Sequence, residues 1–230
     1  MTDAHHTVEA KSEELNGLKL AGGLLSTGAL IALVGLALHP QPAPDVNGQI
    51  AKLSSKASLW TAVHWAIAAG VSLMTAAGLV ILQARSRLTR HWWTLTTWSL
   101  ALIATLAMSL NAVVEATAVK QAALAGSVPQ FEVWESFAFG MALAIPVFAL
   151  AFAVIAASEA RSPAGMTPTP VASLAAVAGV ISTIGGLLWF ALEIRVAGLA
   201  WALSTMLLFI WILWFGLAIF RSSTREPDAG

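Results

Sequence analysis

Hydrophobic residues run in long unbroken stretches along this chain, separated by short polar connections. A helix needs about 20 apolar residues to cross a hydrocarbon core of about 30 Å. Six stretches reach that length: 18–38, 59–82, 92–119, 133–157, 171–194 and 199–220. The third is interrupted only by Asn111 and Glu115. The predicted fold class is therefore all-α, an integral membrane bundle of six transmembrane helices. A polar tail over 1–17 precedes the transmembrane domain over 18–220, and a second tail follows over 221–230.

The connections carry helix breakers. His39 is followed by Pro40, Pro42 and Pro44, and proline pushes the residue before it out of helical geometry. Pro163, Pro168 and Pro170 mark a linker between the fourth and fifth spans, while only a tight turn from Arg195 to Gly198 joins the last two. Pro146 falls inside the fourth span and predicts a kink there. Glycines in spans one, two and five, among them Gly22, Gly28, Gly70 and Gly179, suit close helix approach and offer a surface for self-association into a homo-oligomer.

Composition agrees with the bilayer as a partner. Hydrophobic residues make up 58% of the 230 and charged residues 10%, against about 25% in an average soluble domain. Net charge is zero and no polybasic block occurs, so nucleic acid is not an expected partner. Cysteine is absent, which excludes disulfides, thiol catalysis, iron–sulfur clusters and thiolate metal sites. The acidic first residues, Asp3, Glu9, Glu13 and Glu14, and the length of the following apolar run do not resemble a cleavable signal.

Charge sets the orientation. Lys11, Lys19, Arg85, Arg87, Arg90, Arg161, Arg221 and Arg225 fall on one side, and Lys52, Lys56, Lys120 and Arg195 on the other. The richer side is predicted to be cytoplasmic, with both termini in it, in the cell membrane of a bacterium or archaeon. Trp92, Trp93 and Trp214 then lie near the inner interface, and Trp60, Trp65, Trp134, Trp189 and Trp201 near the outer one.

Ionisable residues inside spans are costly and point to function. His39 closes span one, His64 lies one turn into span two, Glu115 falls near the end of span three, Glu135 opens span four and Glu193 ends span five. The alternating span directions bring all five to the extracytoplasmic face. Asn111 lies one turn below Glu115, and the i, i+4 spacing puts Trp60 with His64 and Trp189 with Glu193. Imidazole and carboxylate together suit iron, zinc, manganese or copper, so these five are the candidate ligands of a transition-metal site. Neither Glu-x-x-His nor His-x-x-x-His occurs.

The expected function is a metal-binding membrane protein, and an oxidoreductase acting on a small molecule is the enzymatic form of that expectation. Two alternatives stand beside it. His39 and His64 could be axial ligands of haem b, though the proline after His39 weakens that reading. A non-enzymatic small-solute transporter or a membrane assembly factor would need no such site.

Overall fold

The computed structural model describes residues 2–43, 45–84, 86–194 and 196–223, with side chains from Ser12 onward. Arg85, Arg195 and Arg225, which entered the charge count, lie outside the described residues, as do the side chains of His5, His6 and Lys11. Among the described residues the chain is helical throughout, with no strand. The helices are α1 (Thr2–Leu38), α2 (Val46–Ser55), α3 (Ala57–Gln83), α4 (Trp92–Val114), α5 (Lys120–Leu124), α6 (Val128–Ala142), α7 (Ala144–Arg161), α8 (Thr169–Gly186) and α9 (Ala197–Ser222). Wider π turns follow α4 at Glu115–Val119 and α8 at Leu187–Ala191.

Six segments are long and apolar enough to cross a membrane: Ser12–Leu38, Ala57–Gln83, Trp92–Leu124, Val128–Arg161, Thr169–Ala191 and Ala197–Ser222. These are the six predicted spans, and they make this a multi-pass membrane bundle. The spans pack in chain order, each against the next, and α1 closes the ring against α9. One end of the bundle carries His39 and α2, here the histidine end. The other carries the start of α1 and the end of α9, here the terminal end. Large apolar side chains such as Leu106, Ile103 and Ile181 cover the outside of the ring, as a lipid-facing surface requires.

The interior is aromatic. Phe148 stacks on Phe209 at 5.3 Å, and Trp98 meets Phe152 edge-on at 5.9 Å. Backbones touch where glycine allows it. A Cβ on Gly28 of α1 would sit 2.5 Å from the Gly70 carbonyl oxygen of α3, so neither helix could approach the other so closely with a side chain there.

Three differences from the sequence reading have local causes. The helix of span one starts far back in the polar tail, at Thr2. Span four is interrupted for one residue, Leu143, which keeps right-handed helical backbone angles. Pro146 has no N–H for the Ala142 carbonyl, and the helix ends at Ala142 and restarts at Ala144. The first loop holds a helix, α2, capped by the Asp45 carboxylate, which accepts from the Gly48 N–H at 2.9 Å. Val46, Ile50 and Leu53 form its apolar stripe, and they pack on Val119, Ala122, Ala123 and Phe131. The Ser54 hydroxyl donates to the Ala123 carbonyl at 2.9 Å, pinning α2 across the histidine end.

Candidate functional site: a histidine pair at one end of the bundle

His39 is the first residue beyond α1, where Pro40 stops the helix. Its ring turns back into the bundle and is half-buried. His64 sits on α3, one turn after Trp60, and is buried. The two imidazoles face each other, with Nε2 to Nε2 3.2 Å and ring centroids 4.9 Å apart. The Trp60 indole packs against both, 4.5 Å from the His64 ring and 5.2 Å from that of His39. Its Nε1–H donates to the Glu115 carbonyl at 3.1 Å. That carbonyl opens the π turn of span three, where the wider winding loosens the helical ladder. Trp60 thus ties the histidine pair to the neighbouring span.

The outer hydrogen bonds fix the protons of the pair. His39 Nδ1 lies 2.9 Å from the Pro40 carbonyl oxygen, and His64 Nδ1 lies 2.9 Å from the Trp60 carbonyl oxygen. A carbonyl only accepts, so each Nδ1 carries the hydrogen. In a neutral imidazole the other nitrogen is then a bare lone pair. Each neutral ring therefore turns its Nε2 lone pair toward the other, with the two nitrogens 3.2 Å apart. Burial lowers the pKa of His39, partly offset by its bond to Pro40, which favours the neutral ring.

The remaining candidates do not join this pair. Among the described residues no group of three or more His, Cys, Asp or Glu is placed to hold a metal ion. Glu115 and the half-buried Glu135 lie within electrostatic range of each other, and neither has an ion-pair partner among the described residues. Asn111 lies below them, its Oδ1 buried without a hydrogen-bond partner. Glu193 is exposed and takes φ 55°, in the turn after the second π turn. The expected face shared by Trp189 and Glu193 does not form, because the helix ends at Ala191. Trp189 packs on Trp201 at 4.8 Å instead.

No family model, curated protein or solved structure matches this chain.

What the site can do follows from its own chemistry. Trp60 is the neighbour of the histidine pair that its expected place near the outer interface did not reveal, since it is buried against both imidazoles. The Trp60-x-x-x-His64 spacing carried that signal, because residues four apart on a helix stack.

Proposed function

We propose that the protein is a membrane metalloprotein that holds one transition-metal ion between His39 and His64, at the extracytoplasmic face. One observation carries this reading: two Nε2 lone pairs opposed at 3.2 Å, with both Nδ1 atoms committed to carbonyls. Two imidazole nitrogens bound at 2.0–2.1 Å to one tetrahedral ion lie about 3.3 Å apart, with ring centroids about 5 Å apart. The observed 3.2 and 4.9 Å match those separations. A straight N–H···N hydrogen bond of that length would hold the centroids at about 5.5 Å. The carbonyls bonded to Nδ1 are the partners that metal-bound histidines commonly use to fix their tautomer.

The chain supplies two ligands to such an ion, leaving positions for water or a small molecule. An ion with open positions polarises what it binds, the basis of Lewis-acid chemistry. Haem b fits less well. Axial nitrogens on opposite sides of one iron stand about 4 Å apart, and Trp60 lies against both rings where the porphyrin would extend. The orientation rests on the eight Lys and Arg of the terminal end against four at the histidine end.

The test is elemental analysis and cobalt titration of detergent-purified protein, without an affinity His-tag and with His5 and His6 changed to Ala. One ion per chain and a tetrahedral cobalt spectrum, both lost in His39→Ala and His64→Ala, are expected. Failure of the intact pair to bind zinc, copper or cobalt would leave a shared proton between the rings and sink the proposal.

A further inference from the structure

A groove of about 430 Å³ runs down the outside of the bundle at the terminal end, lined by Asn16, Lys19, Gly23, Leu73 and Phe220 among others. Its floor is a strip of α1 and its walls come from α3 and α9. Lys19 lines it, its ammonium 5.6 Å above the Phe220 ring centroid. Thr27 lines it about two turns further along α1. From Lys19 to Leu38 is close to a full hydrocarbon thickness at 1.5 Å per residue, so Lys19 sits at the level of lipid headgroups. The groove then descends about 12 Å from Lys19 to Thr27, most of one leaflet of about 15 Å.

We propose that this groove binds one anionic phospholipid of the leaflet at the terminal end, its phosphate on Lys19 and an acyl chain lying over Gly23. Charge complementarity selects the occupant. The residues three and four positions from Lys19 on α1 are Leu15, Asn16, Gly22 and Gly23, none of them acidic. Lys19 has no carboxylate partner among the described residues. The Asn16 amide stands one turn above Lys19 as a further donor to the headgroup. Below them the walls are apolar leucine and phenylalanine, which an acyl chain covers and water does not. Gly23 keeps the floor open: a Cβ there meets only the Phe220 ring, at 3.8 Å, so a larger side chain fills the groove without displacing backbone.

The experiment uses full-length protein stripped of lipid in detergent, then offered phosphatidylglycerol, phosphatidylcholine or inorganic phosphate, with bound lipid counted by native mass spectrometry. Wild-type protein should retain one phosphatidylglycerol in preference to phosphatidylcholine. Lys19→Gln should weaken that retention about fivefold, the worth of one basic residue at a membrane surface. Gly23→Leu should abolish it while its melting temperature stays near that of wild type. Gly23→Ala, which leaves most of the groove open, should still bind. Retention unchanged in Lys19→Gln overturns the proposal, as does retention unchanged in Gly23→Leu. Competition by inorganic phosphate as effective as the lipid would also overturn it, by assigning the site to a free anion.

Discussion

Metal should raise the thermal stability of this protein through the histidine pair and through nothing else. An ion that binds the folded state alone stabilises it by RT ln(1 + [L]/Kd), which is about 2.7 kcal/mol at 100 times Kd. For a chain of this size each kcal/mol moves the melting temperature by about 2–4 °C, so the shift should be about 5–11 °C. Both rings already stand at the spacing of two ligands on one ion, so binding would not need to rearrange the pair. His39→Ala and His64→Ala each leave one imidazole. A hundredfold loss of affinity then brings the same zinc concentration down to Kd, and the gain falls to about 0.4 kcal/mol, or about 1–2 °C. The assay is a melting curve in detergent with and without zinc, each variant compared with its own metal-free form. That comparison removes the cost of emptying the buried His64 position. A His5→Ala/His6→Ala variant must keep the full shift. A shift that survives in both single histidine variants, or vanishes with His5 and His6, would refute the assignment.

Trp60→Phe should keep a ring against both imidazoles but lose the indole donor to the Glu115 carbonyl, costing about 0.6 kcal/mol and at most about 1.7 in a reversible unfolding measurement. No measurable loss would mean that the bridge between spans two and three contributes nothing. Gly28→Leu should destabilise by about 1–3 kcal/mol or more, because its side chain meets the Gly70 backbone, whereas Gly140→Ala has no atom within 4 Å of the new Cβ and should be neutral or stabilising by up to about 1 kcal/mol. Equal effects at the two glycines would contradict the α1–α3 contact. Burial lowers the His39 pKa from 6.5, so as pH falls the unfolded chain takes up its proton first. Stability of the metal-free protein is therefore full above pH 6.5 and declines below it until folded His39 also protonates; a flat profile from pH 7 to pH 5 in wild type, matching that of His39→Gln, would count against a neutral imidazole at this position.

The sequence by itself determined the class and the span count. A hydrocarbon slab accepts only segments that satisfy their own backbone hydrogen bonds, so every apolar run of sufficient length has to be a helix. It also placed His39 and His64 at one end of the bundle, since adjacent antiparallel spans return to the same level. Azimuth was not written there. Which side of α1 meets which side of α3 is decided by contacts such as Gly28 against Gly70, and these bring the two Nε2 atoms to 3.2 Å. The level argument treated five residues as equivalent, and the fold separated them. The π turns at Glu115–Val119 and Leu187–Ala191 change the winding of spans three and five just where Glu115 and Glu193 stand, so spacing along an ideal helix no longer says where those carboxylates point. α2 was hidden for a different reason. It is too short and too polar to register as a span, and only its docking onto α5 and α6 gives its apolar stripe somewhere to be buried.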